Sequence, residues 1–182
     1  QGEELGLPEA EVPFELLQDP YGRTFWPEFK GRDGCRTPMP WQADAPHGGF
    51  TTGTPWLPVY GAHLPLAIDN QADDPGSMLA FSRALLHWRR TQPLLRTGGI
   101  VFFDAPEPVL WFERRDGNRS LQAIFNMGSE PVSIPLREAL VPLQGHPHAA
   151  TASVQGHGER RMLALAPYGV FFGTPANEEG HS

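Results

Sequence analysis

Gly31-Arg32-Asp33-Gly34-Cys35-Arg36-Thr37-Pro38-Met39-Pro40-Trp41 places two guanidinium groups, a carboxylate, two prolines and an indole in a stretch with neither helical nor strand periodicity. Such a segment is a shaped loop. Pro38 and Pro40 fix φ and stiffen the chain, Gly31 and Gly34 permit tight bends, and each arginine carries a planar fork of donors. That combination suits a polyhydroxylated or anionic ligand. The plainer alternative is that Arg32 and Asp33 pair at the surface while Trp41 fills a local core.

Working outward, residues 1–74 are rich in proline and glycine and show no sustained period of 3.6 or 2. So long an irregular region in a compact protein is usually functional. Its aromatics (Phe14, Tyr21, Phe25, Trp26, Phe29, Trp41, Phe50, Trp56) argue against disorder and predict that it packs against something. A helix follows, expected over about residues 75–91. Asp74 would be its N-cap and Pro75 would occupy its first turn, while Met78, Leu79, Phe81, Leu85, Leu86 and Trp88 form an apolar stripe that Pro93 ends. From Gly98 the pattern becomes short β runs: 100–104, 109–114, 121–126, 132–136, 161–165 and 170–173. Asp116-Gly117-Asn118 reads as a hairpin turn between two of them. Antiparallel strands at this density predict a small sandwich. The residues from Ala176 to Ser182 are small and polar, and a frayed tail is expected there.

The 182 residues carry 21 acidic and 14 basic side chains, thirteen of the latter arginine, with no basic stripe, so nucleic acid is not an expected partner. No run of apolar residues is long enough to span a membrane. Cys35 is the only cysteine, which rules out an internal disulfide and is consistent with a reducing cytoplasm; it reads as a packed small residue rather than a reactive thiol. The chain opens on Gln1, its first methionine is Met39, and no leader pattern precedes it. It is therefore expected to be the C-terminal portion of a longer polypeptide.

The opening stretch resembles the Arg-Asp-x-x-Arg-Thr-Pro-Met-x-Trp signature of α-glucosidases in the α-amylase-type clan, glycoside hydrolase family 13. That branch also holds oligo-1,6-glucosidases, trehalose synthases and sucrose isomerases. Gln1-Gly2-Glu3-Glu4-Leu5-Gly6 resembles the branch's Tyr-x-Gly-Glu-Glu-x-Gly motif, and Gly48 to Val59 resembles its Gly-Phe-x-x-Gly-x-Pro-Trp-Leu-Pro segment. Leu17-Gln18-Asp19-Pro20-Tyr21-Gly22 and Phe25-Trp26-Pro27-Glu28-Phe29-Lys30 are similar to bacterial maltose-cleaving members. Pro40 stands where many members have Gln, and Gly48-Gly49 where many have Asn-Ala, which touches linkage preference between α-1,4 and α-1,6 rather than clan.

The resemblance implies a fold of α/β plus all-β class: the C-terminal fragment of a (β/α)8 barrel, then a small antiparallel β-sandwich domain. On that basis residues 1–97 would be the long loop after the eighth strand and the last barrel helix, 98–175 the β domain and 176–182 the tail. Retaining hydrolysis needs two carboxyl groups about 5 Å apart, and the family motifs that carry them do not occur in this chain. The nucleophile and acid/base would lie upstream, and these residues alone are expected to be inactive. Any structural calcium would also belong to the upstream part, and no cofactor is expected here. Arg36 is implied to reach the terminal glucose subsite, pairing with an upstream carboxylate and donating to sugar hydroxyls. Gln18, with Phe14 and Glu15, would lie near the acceptor subsite, where Phe14, Phe25 or Trp26 would stack on sugar or simply pack. Arg32 and Asp33 are expected to brace the loop as an ion-pair network.

Glu3 and Glu4, being adjacent on extended backbone, point apart and cannot flank one bond. His47, His63, His87, His146, His148, His157 and His181 are scattered. His146-Pro147-His148 could offer two metal ligands but lacks a third at workable spacing, so a solvated loop is expected and no metal site. The function implied is an exo-acting α-glucosidase on maltose-like substrates, whose partners are an α-glucoside and the N-terminal barrel. A sucrose isomerase or trehalose synthase of the same fold, or a non-catalytic carbohydrate-binding β-sandwich module, are the alternatives.

Overall fold

The computed structural model describes residues 1–156 and 160–176; the expected tail from residue 177, with His157 and His181, lies outside the described residues. The chain divides into two compact units, Gln1–Arg83 and Ala84–Ser182.

The first unit is built from turns. It contains short 3-10 segments and two brief helices, α1 (Pro20–Thr24) and α2 (Ile68–Gln71). Few of its backbone groups have ladder partners, so buried side chains supply them. Gln71 donates through Nε2 to Leu5 O at 3.0 Å and Leu66 O at 2.7 Å, while its Oε1 accepts from Leu79 N at 3.0 Å. His63 Nε2 bonds Pro8 O at 2.7 Å. Leu5, Ala10, Val12, Leu17, Leu57 and Ala67 are among the buried apolar residues of this unit. The eight aromatics of this region are all exposed within the chain itself. Glu3 and Glu4 occupy a 3-10 turn, Glu3–Leu5, not extended chain; Glu3 Oε2 lies 3.6 Å from the Gln1 amino group, and Glu4 Oε2 accepts from Gly2 N at 3.1 Å.

The helix α3 runs Met78–Arg90, three residues later at its start than expected. Asp74 Oδ1 closes a local turn on Gly76 N, whereas Ser77 Oγ accepts from Ala80 N at 3.1 Å and so acts as the cap. Of the predicted stripe, Leu79 and Trp88 are buried, and Met78 and Leu86 are exposed. Pro93 does not merely end it: with φ preset, it opens a further helix, α4 (Pro93–Thr97).

The second unit is antiparallel β. Its strands are β1 (Gly99–Phe102), β2 (Val109–Asp116), β3 (Arg119–Asn126), β4 (Val132–Pro135), β5 (Leu140–Pro142), β6 (Ala152–Gln155), β7 (Met162–Leu165) and β8 (Val170–Pro175). They form one sheet in the order β1-β2-β3-β8-β5 and another in the order β4-β7-β6. The hairpin at Gly117 is as predicted, its φ of 59° supplying the left-handed turn. Trp111, Ile124, Leu140 and Phe171 of the first sheet share a core with Ile134, Leu163 and Leu165 of the second. A polar seam interrupts it: Trp111 Nε1 donates to Gln122 Oε1 at 3.0 Å, and Gln122 Nε2 donates to Glu138 Oε1. Glu113, also buried, is ion-paired with Arg115 Nη2 at 2.7 Å. A second apolar cluster joins Trp88 and Leu95 to Leu121, Ala123 and Phe172.

His146 corrects the expectation of a solvated His-Pro-His loop. Its ring is buried between Trp88, centroids 5.0 Å apart, and Phe172, 5.1 Å and perpendicular, because Trp88 Nε1 donates to Gln144 O at 2.9 Å and draws the loop onto the helix. Nδ1 has no partner. Burial, and secondarily the charge of His148, hold the imidazole pKa below its ordinary 6.5. The native state therefore resists a proton that the unfolded chain accepts, so stability is retained above that value and lost as pH falls beneath it. Thermal melts are expected to show a falling midpoint from about pH 6.5 to pH 5, and His146→Phe to flatten the fall. Equal slopes for the two proteins would refute this assignment.

Candidate functional site

Two aspartates stitch the loop around Arg36 together reciprocally. Asp33 is fully buried, and its Oδ2 accepts from Gln18 N at 2.6 Å and Asp19 N at 2.8 Å. Asp19 returns the arrangement: Oδ1 accepts from Tyr21 N at 2.9 Å, capping α1, and Oδ2 accepts from Arg32 N at 2.9 Å. The segments 18–21 and 32–36 are thus tied by side-chain carboxylates to each other's amides. Two glycines make the closeness feasible. Gly31 has φ 74°, and a Cβ there would lie 2.8 Å from Asp19 Cγ; at Gly34 it would lie 2.5 Å from Ala10 O.

Arg36 Nη1 lies 3.5 Å from Asp19 Oδ2, and its side chain remains about half exposed, at 48%. The Arg32 amide, then those of Tyr21 and Gly22, and last the Arg36 charge, hold the Asp19 carboxyl below its ordinary pKa. Gln18, Asp19, Pro20, Tyr21, Phe29, Arg32, Arg36 and Trp56 line an open cavity of about 520 Å³, within the size range of small-molecule sites. Aromatic faces with guanidinium donors provide what a sugar ring needs: apolar surface for its C–H face and hydrogen bonds for its hydroxyls.

The sequence-derived candidates are distributed as follows. Gln18, Arg32 and Arg36 share the cavity. Asp33 does not face it but anchors the backbone beneath. The expected Arg32–Asp33 ion-pair network is not formed: among the described residues neither makes an ion pair, two amides occupy Asp33 Oδ2 while its buried Oδ1 has no hydrogen-bond partner, and Arg32 contributes its own amide to Asp19. The aromatics on the cavity are Tyr21, Phe29 and Trp56, not Phe14, Phe25 and Trp26. Phe14 instead packs on Trp26 at 5.7 Å, with the Arg23 guanidinium above it. Asp19 was not singled out from sequence, although Asp-Pro ahead of a short helix is a capping signal. Cys35 is exposed, its Sγ donating to Arg32 O at 3.1 Å. Among the described residues no group of three or more His, Cys, Asp or Glu side chains is placed to hold a metal, and no helix is long and apolar enough to cross a membrane.

Residues 1–98, more than half the chain, match the family model described as the alpha amylase catalytic domain. The chain belongs to the α-amylase family. It has that family's fold in a mixture of helices and antiparallel sheets. A probable alpha-glucosidase of Rhizobium meliloti (strain 1021) is 48% identical to this α-amylase-family chain over 174 residues, which are 94% of this chain and 30% of that protein. An oligo-1,6-glucosidase of Parageobacillus thermoglucosidasius is 30% identical over 122 residues, covering 66% of this chain and 20% of the other. Among solved structures, an alpha-glucosyl transfer enzyme, XgtA, is 45% identical with a TM-score of 0.83, over 97% of this chain and 32% of that one. The trehalulose synthase MutB from Pseudomonas mesoacidophila MX-45, at 23% identity and a TM-score of 0.73, shares the fold. The chain spans 30% and 20% of the length of the two curated relatives named.

Proposed function

We propose that this chain is the C-terminal part of a retaining, exo-acting α-glucosidase that hydrolyses, and also transfers, terminal α-linked glucose of maltose-like oligosaccharides. In this proposal residues 1–97 complete the (β/α)8 barrel with the loop after its eighth strand and its last helix, and residues 98–175 are the β-sandwich domain that follows. The observation that carries it is the Arg36 guanidinium on a cavity with aromatic walls, inside a loop that matches the family signature residue for residue. The partners are an α-glucoside and the upstream barrel strands that supply the nucleophile and the acid/base. A cytoplasmic location accords with the lone Cys35.

A half-exposed guanidinium with one carboxylate neighbour keeps donors for neutral hydroxyls, and a charge-assisted bond contributes about 1.5 to 3 kcal/mol. Arg36→Ala in the full-length polypeptide is therefore expected to raise KM for a chromogenic α-glucoside about ten- to a hundredfold. Unchanged KM would remove Arg36 from the site. Residues 1–182 alone are expected to give no turnover of the same substrate, and measurable hydrolysis by them would refute the placement of the acids upstream.

The isomerase alternative draws support from the shared fold of the trehalulose synthase MutB. Product analysis on sucrose distinguishes the two, since the glucosidase releases glucose and fructose whereas an isomerase returns a disaccharide.

A further inference from the structure

We propose that Asp19 is the positioning residue for Arg36: its carboxylate, locked onto the loop's own backbone, sets where the guanidinium stands at the cavity rim. This rests on the assignment of Arg36 to substrate binding.

The argument is geometric. The Asp19 side chain is 10% exposed, against 48% for Arg36, so the anion is the enclosed partner and the cation the one that reaches into the open. Oδ1 is held by Tyr21 N and Oδ2 by Arg32 N, each at 2.9 Å, so neither oxygen can turn away without losing an amide. Arg32 lies in the same loop as Arg36. The carboxylate therefore moves with the loop, and its distance to the Arg36 guanidinium is set by local chain geometry. Gly31 removes the Cβ that would collide with Asp19 Cγ at 2.8 Å, which ties the glycine of the signature loop to this carboxylate. Nη1 of Arg36 leans on Oδ2 at 3.5 Å, a charge contact rather than a tight bond. It restrains the side chain while leaving its N–H groups for other acceptors; among the described residues no other acceptor is bonded to them.

The simpler role for Asp19 is that of a helix cap on α1. Loss of a cap lowers stability and leaves substrate affinity per folded molecule untouched. A positioning role predicts a different pattern. In the full-length polypeptide, Asp19→Asn is expected to raise KM for a chromogenic α-glucoside about fivefold or more with kcat within about twofold, because ground-state binding is what is lost. In an Arg36→Ala background the same change is expected to alter KM by less than about twofold, since nothing remains to position.

Asp19→Glu, which keeps the charge but lengthens the arm, should recover part of the KM loss seen with Asp19→Asn. Equal KM effects of Asp19→Asn in both backgrounds, or a lowered melting temperature with KM unmoved, would overturn the proposal. Failure of the underlying assignment reads differently: Arg36→Ala itself would then leave KM unchanged, and the positioning role would fall with it.

Discussion

Replacement of Trp111 by alanine is expected to lower the stability of the β-rich unit by about 3 to 5 kcal/mol, the largest effect of any single change considered. The indole is 4% exposed at the centre of the core shared by the two sheets. Phe103 meets its face edge-on at 5.5 Å, and the Arg137 guanidinium lies 5.4 Å from the ring centroid. Alanine would leave a cavity where these groups converge, and rigid strands on both sides restrict its collapse. It would also take the hydrogen bond from Gln122, itself 1% exposed, leaving Oε1 unpaired in the interior. Trp111→Phe separates the two contributions, since most of the ring area stays while the N–H donor goes. Urea denaturation followed by far-UV circular dichroism should place the midpoint of Trp111→Phe between those of Trp111→Ala and the parent. Coincident midpoints for Trp111→Ala and the parent would show that the ring contributes no net packing energy.

Asp33→Ala is expected to destabilise the turn-built unit by about 1 to 3 kcal/mol, because two part-buried amides, Gln18 N and Asp19 N, lose the same acceptor at once and each such bond contributes about 0.5 to 1.5 kcal/mol. Asp33→Asn keeps an oxygen of the same reach and should lose less than half as much. Hydrogen exchange provides the local readout. In Asp33→Ala the amides of Gln18 and Asp19 should exchange far faster than in the parent, with Asp33→Asn intermediate. Protection unchanged in Asp33→Ala would mean that the loop is held by something other than this carboxylate.

The β unit was largely legible from sequence because its strands are ordinary ones. Val109 to Arg114 and Leu121 to Asn126 carry β-branched and aromatic residues around a Gly117 turn, and both runs lie within the observed strands. Two strands went unseen for a physical reason. Leu140–Pro142 is three residues ending in proline, and Ala152–Gln155 has Val154 as its single strong strand former; both are held by pairing with β8 and β7 rather than by propensity. The start of α3 was misplaced because Asp74 and Ser77 are both capable caps, and only the tertiary bond from Ser77 Oγ to Gln71 O shows which one faces the helix. The same limit governs the site. Residue types announced the loop, and the family resemblance pointed to Arg36, whereas the Asp19–Asp33 exchange joins segments that no periodicity links. The burial of His146 depends likewise on Trp88, which lies on a distant helix.

The reciprocal carboxylate clasp also bears on the thermodynamics of recognition. Because the backbone leading into Arg36 is tied down when the chain folds, little main-chain freedom is left for an incoming molecule to quench there. Occupancy of that rim should consequently show a small entropic penalty, and loosening either aspartate should convert a preorganised surface into one that must be frozen afresh with each encounter.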